Sequence, residues 1–142
     1  MFTPEEIDKI FHARAKDNGT QVEDVALQRF RNYCGQHCVS RTVNFQNLMM
    51  KRHTLTLLSE IIRNTHAISN LNVRENMLKD QIVAVFANAL AVNKSIVELD
   101  ISQTNITPFG FKKLLTTLTS NESIISLKIG NPGTTSRNRM GD

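Results

Sequence analysis

The densest run of reactive side chains is Cys34-Gly35-Gln36-His37-Cys38. A thiol–disulfide couple normally uses Cys-x-x-Cys, and the spacing here is one residue longer. A zinc site needs four ligands; the two thiols and His37 supply three, and no fourth stands out. On a helix, residues four apart share a face. Both thiols then fall beside Phe30 and Tyr33 as small buried hydrophobes, free thiols in a reducing compartment.

The other histidines, His12, His53 and His66, lie far apart, the last two at opposite ends of one expected helix. They assemble no nucleophile, base and orienting group. The six glycines are dispersed and form no phosphate-cradling loop. Neither Gly-x-Ser-x-Gly nor His-Glu-x-x-His occurs. Asp17-Asn18-Gly19 invites a calcium-loop reading, but Gly19 stands third from Asp17, where a ligand belongs, and the sixth residue is Val22. The chain therefore reads as a non-enzyme that needs no cofactor and no metal.

With 142 residues, 40% of them hydrophobic, the chain suits one ordinary core. The formal charge of +4 is spread over pairs such as Lys51-Arg52, Lys112-Lys113 and Arg137/Arg139. Nucleic-acid binding would cluster them on one face, so these read as solvated surface and nucleic acid is not an expected partner. No run nears the roughly 18 apolar residues of a membrane helix, and the acidic start is no secretory signal. The expected location is the cytoplasm. There the Asn-x-Ser/Thr matches at Asn18, Asn93, Asn105 and Asn121 carry little meaning.

The positioning framework is a repeat. Rows of 28 residues place Leu71, Leu99 and Leu127 in one slot, and Ile68, Ile96 and Ile124 three residues earlier. Leu58, Phe86 and Leu114 share another slot; Ile62, Leu90 and Leu118 follow four residues later. Asn93 and Asn121 share the next turn, with Thr65 one row earlier, and the frame extends back to Val43, Phe45 and Met50. Alternation at Leu71-x-Val73 predicts a short half-buried strand. Apolar positions Ile82, Val85, Phe86, Ala89 and Leu90 predict a helix, and 54–64 and 110–119 repeat that pattern, with Thr107-Pro108 opening the last. One such unit cannot bury its apolar face alone, so units must stack.

Leu71-x-Val73-x-x-Asn76-x-Leu78 and Leu99-x-Ile101-x-x-Thr104-x-Ile106 resemble the leucine-rich-repeat signature. The period and the full helix per unit resemble the ribonuclease-inhibitor class, to which tropomodulin and other cytoskeletal regulators belong. The resemblance covers about residues 40–142. It implies an α/β fold: a right-handed solenoid of parallel strands with one helix per repeat. It also implies that Asn76 bonds backbone groups in its turn; Thr104 is an allowed variant, and Leu48 departs from the pattern.

Residues 1–39 do not repeat and are expected to form an N-terminal helical cap. Thr3-Pro4-Glu5-Glu6 is a capping box with Pro in the first turn, followed by the stripe Ile7, Ile10 and Phe11. A second helix is expected over 23–33, with Ala26, Leu27, Phe30 and Tyr33 inward and Gly35 as its stop. A short helical pair before such repeats is loosely similar to centrosomal and ciliary leucine-rich-repeat proteins. After Ile129 the frame breaks at Pro132-Gly133, and Asn138-x-Met140 resembles a delayed Asn slot. No polar capping element follows, so the expectation is a fragment of a longer protein.

Between the buried strand positions, side chains alternate outward. That selects Thr42, Asn44 and Gln46; Asn70, Asn72 and Arg74; Glu98, Asp100 and Ser102; then Ser126 and Lys128, as a polar concave face of mixed sign. The expected function is protein–protein interaction, as a scaffold or adaptor of the cytoskeleton or cilium, with Arg74 and the Glu98/Asp100 pair as contacts. The alternatives are regulation of an enzyme or nucleotide-switch protein, and self-association through the open C-terminal repeat edge.

Overall fold

Short extended segments with a single inward side chain recur once per row, and in the computed structural model they form one sheet. The structure describes residues 3–34 and 41–130. Strands β1 (Thr42–Asn44), β2 (Asn70–Asn72), β3 (Glu98–Asp100) and β4 (Ser126–Lys128) lie parallel in that order. The register pairs Val43 with Leu71, Leu71 with Leu99, and Leu99 with Leu127, one 28-residue step each time. Parallel neighbours need a crossover, and each crossover is a helix: α3 (Arg52–Asn64), α4 (Lys79–Val92) and α5 (Pro108–Leu118). Two further helices, α1 (Pro4–Asp17) and α2 (Asp24–Cys34), precede β1.

The repeat slots are the core. Val43, Phe45, Met50, Leu71, Val73, Leu78, Leu99, Ile101 and Ile106 are buried, as are Leu58, Ile62, Phe86, Leu90 and Leu114. Helix α4, packed between α3 and α5, buries Ile82, Val83, Phe86, Ala87, Ala89 and Leu90. Helix α5 buries only Gly110 and Leu114. Helices α3 and α4 start two and three residues before the expected bounds, whereas α5 opens at Pro108 as expected. Apolar periodicity marks only the buried face, whereas the first turns are polar, as in Lys79-Asp80-Gln81. His66 lies past the end of α3, not on it.

The capping box of α1 is complete: Thr3 Oγ1 accepts from the Glu6 amide at 3.2 Å and Glu6 Oε2 accepts from the Thr3 amide at 2.8 Å. Its C-cap is Asn18, and Gly19 follows in the left-handed region at φ 63°. Phe11 and Phe30 meet edge to face at 5.0 Å, and Phe30 lies 4.5 Å from Phe45. The helical pair thereby joins the core of the first unit. Arg14 pairs with Glu60 of α3, and Glu23 Oε1 accepts from the Lys51 amide at 2.7 Å. The Cys34/His37/Cys38 reading, the Gly35 stop and the Asn138-x-Met140 slot lie outside the described residues.

Two asparagine slots close the turns at either end of the strands. After β2, Asn76 Nδ2 donates to the carbonyls of Phe45 (2.8 Å) and Val73 (3.0 Å), while its Oδ1 accepts from the Met50 amide at 3.1 Å. Thr104, in the same slot, makes the local bond, from Oγ1 to the Ile101 carbonyl at 2.6 Å. Before β3, Asn93 Nδ2 donates to the carbonyls of Ile62 (2.9 Å) and Thr65 (3.3 Å), and its Oδ1 accepts from the amides of Ser95 and Ile96, both at 2.9 Å. Asn121 repeats this with the carbonyls of Leu90 and Asn93 and the amides of Ser123 and Ile124. Thr65 accepts from the Ala67 amide at 3.2 Å, and Arg41 donates to the carbonyls of His66 and Ala67, each at 3.0 Å.

A third link joins helix starts. Asp80 of α4 accepts from the Thr107 amide at 2.9 Å and from the Thr107 hydroxyl, at the head of α5. Gly110 makes room for it, since a Cβ there would stand 2.2 Å from Asp80 Oδ1.

Asn93 is 2% exposed, so its loss strands four backbone groups, three of them in buried bonds. Asn93→Ala should lower the unfolding free energy by about 2–4 kcal/mol, read by urea denaturation. A change below about 0.5 kcal/mol would remove the asparagine from the fold's essential bonds.

Candidate functional site

The strand face is built by the pleat: with Val43, Leu71 and Leu99 turned inward, their neighbours turn out. Thr42, Asn44 and Gln46 are exposed in the first unit. Asn70, Asn72 and Arg74 are half-buried, as are Glu98, Asp100 and Ser126, whereas Lys128 is exposed. Ser102 is buried and does not belong to the open face. Alternation holds only while the backbone is extended. Strand β3 ends at Asp100, and the chain turns at Gln103 with φ 55°.

Register brings several of these residues together. Glu98 Oε2 accepts from Asn70 Nδ2 at 3.1 Å, and Glu98 Oε1 lies 2.9 Å from Lys128 Nζ. One carboxylate thus ties three adjacent strands. Asn72 Nδ2 donates to Gln46 Oε1 at 3.3 Å, linking the first two units. Arg74 stands apart from this network: its Nε lies 3.7 Å from Glu75 Oε1, too far for a hydrogen bond. The expected contact Arg74 therefore does not join Glu98 and Lys128, whereas Asp100 stands opposite Lys128 in the sheet register and its charge also acts on that ammonium.

Three of the predicted residues have a structural duty that alternation did not reveal. Asn44, Asn72 and Asp100 each accept through Oδ1 from the amide two residues on, of Gln46, Arg74 and Ser102, all at 2.9 Å. These side chains turn the backbone out of each strand. The sequence signal was the same 28-residue spacing that marked the buried slots, here at an outward position.

The predicted face residues include no His and no Cys. Among the described residues, no three His, Cys, Asp or Glu side chains come together as metal ligands. His12 bonds the Asp8 carbonyl at 2.8 Å and His53 lies 3.5 Å from Thr20 Oγ1, both away from the strands. No helix of the described residues is long and apolar enough to cross a membrane. What the face offers is a fixed mosaic of amides, a carboxylate and an ammonium. Lys128 is raised above its ordinary 10.5, first by the hydrogen bond to Glu98 and then by that carboxylate's charge.

A folded pKa above the unfolded one contributes stability below 10.5 that is lost as pH rises through the folded value. NMR titration of the Lys128 ammonium should show that elevation, and Glu98→Gln should remove most of it. A titration at the ordinary value in the native protein would mean that the pair does not persist in solution.

No family model matches the chain. It is 26% identical over 99 residues to NACHT, LRR and PYD domains-containing protein 4C of Mus musculus, covering 69% of this chain and 10% of that protein. The chain thus spans about a tenth of that relative's length. Among solved structures it is similar to leiomodin-1 Actin-Binding Site 2, with TM-score 0.69, 20% identity, and 86% of this chain and 67% of that chain covered. It is also similar to the tropomodulin C-terminal domain of Caenorhabditis elegans, with TM-score 0.60, 18% identity, and 77% and 64% covered. The likeness shows a leucine-rich-repeat-like α/β fold with a parallel sheet.

Proposed function

We propose that this chain is a protein-binding module of the cytoskeleton whose strand face receives the partner. The observation that carries the reading is the cross-strand network of Asn70, Glu98 and Lys128, with Asn72 and Gln46 beside it. Side chains already held by neighbours lose little freedom on binding, which favours a protein surface over solvent. The 28-residue unit with a full helix supports a right-handed solenoid of the ribonuclease-inhibitor class, capped by the helices of residues 1–39. A scaffold or adaptor role, at the actin cytoskeleton, centrosome or cilium, fits a face without catalytic groups. Actin is the first partner to test, since a similar structure is described as an actin-binding site.

Glu98→Lys combined with Lys128→Glu keeps the ion pair and inverts the pattern the partner meets. In co-sedimentation with filaments and in pull-down of monomeric actin, the native chain should bind. The swapped variant, with unchanged circular dichroism, should bind about tenfold more weakly or worse. Equal binding by both would remove the strand face from the interface; no binding by the native chain would remove actin.

A second reading, self-association through the last unit, is favoured by one observation. Among the described residues no strand pairs with the outer edge of β4, and Ile125 beside it is exposed. Light scattering should then show mass rising with concentration; a constant monomer mass would rule it out.

A further inference from the structure

Past the C-terminal ends of β1 and β2, between the first turns of α3 and α4, lies a cleft of about 550 Å³. Its floor is apolar, from buried Leu78 and Ile82. Its rim carries two large apolar side chains that the fold does not use: Met49 is 82% exposed and Met77 52%. They stand 28 residues apart, in one slot of successive units, where the third unit has Asn105. Met49 is moreover held at φ 50°, a left-handed conformation that Asn and Gly adopt more readily. Exposed, flexible thioethers over an apolar floor suit the reception of another chain's side chains.

The charge around the cleft is predominantly positive. Lys51, Arg52 and Lys79 line it against a single carboxylate, Glu75, which already faces Arg74 at 3.7 Å. Among the described residues no carboxylate pairs with the side chains of Lys51, Arg52 or Lys79. Two of these cations stand at the head of α3, whose first turn has no acidic residue. The carboxylate at that helix start is Glu23, which accepts from the Lys51 amide and leaves the two side chains turned to the cleft without a carboxylate partner among the described residues.

We infer that this cleft is a docking site for a short acidic segment of a partner protein, which seats an aliphatic or aromatic anchor between Met49 and Met77 and lays its carboxylates against Lys51, Arg52 and Lys79. Charge complementarity selects the acidic flanks, and the apolar floor selects the anchor. The surface is separate from the strand-face network and requires neither that face nor actin.

The test pans a random peptide display library against the full chain. Enriched peptides should combine Asp or Glu with Leu, Ile, Phe or Met, and should weaken as salt rises. Lys51→Glu with Arg52→Glu should weaken them about tenfold or more. Circular dichroism of that variant should be unchanged, and Lys79→Glu, at the other side of the cleft, should weaken the peptides likewise. Lost binding with an intact fold in both variants separates recognition from unfolding. Met77→Ser should weaken binding without altering the salt dependence. The Glu98/Lys128 swap should leave peptide binding unchanged, so this site and the strand face fail or stand independently. Neutral or basic enriched peptides, no enrichment, or equal binding by the Lys51/Arg52 variant would each overturn the inference. Poly-aspartate binding as tightly as the enriched peptides would also overturn it, since the anchor would then contribute nothing.

Discussion

A backbone carbonyl or amide turned into an apolar interior must find a partner, and three-residue strands leave such groups at both ends. The asparagine amide meets that need better than other small side chains, because it donates twice and accepts twice from one rigid plane. Asn93 uses both functions at once, holding two carbonyls of the previous unit and two amides of its own. Asn121 repeats the geometry, and Asn76 does similar work at the other end of the strands. Apolar slots supply the driving force for stacking, but these bonds set the register at which units stack. The uniform 28-residue pairing of the sheet follows.

From that constraint the partition of surfaces follows. Once the turns are fixed, alternate strand side chains must stand in rows, so a carboxylate such as Glu98 reaches both neighbouring strands. The side chains of the face thereby hold one another in place. The opposite arrangement holds at the Met49/Met77 cleft, where two methionines are exposed and Lys51, Arg52 and Lys79 have no carboxylate partner among the described residues. One surface is organised by its own hydrogen bonds, the other is left open by their absence.

Much of this was legible from residue order. The frame could be read because buried slots tolerate little besides Leu, Ile, Val, Phe and Met, so Leu71, Leu99 and Leu127 announce themselves. The Asn76 slot was legible from the same signature. Ser102 was misplaced because alternation describes extended backbone and gives no warning of where extension stops. The bonds of Asn44, Asn72 and Asp100 were hidden because an exposed polar residue looks the same whether it faces a partner or its own backbone. Asp80 and Gly110 were invisible for a further reason: their fit depends on the packing distance between α4 and α5, which no pattern encodes.

The asparagine bonds also run one way along the chain. Asn93 completes the turn that contains Ile62, and Asn121 completes the one that contains Leu90, each from 31 residues further on. A ribosome delivers the earlier turn first. Each turn must wait for about one more unit of nascent chain before its carbonyls are satisfied. Folding during synthesis therefore trails elongation by a fixed lag, and a stall in translation leaves the latest turn open.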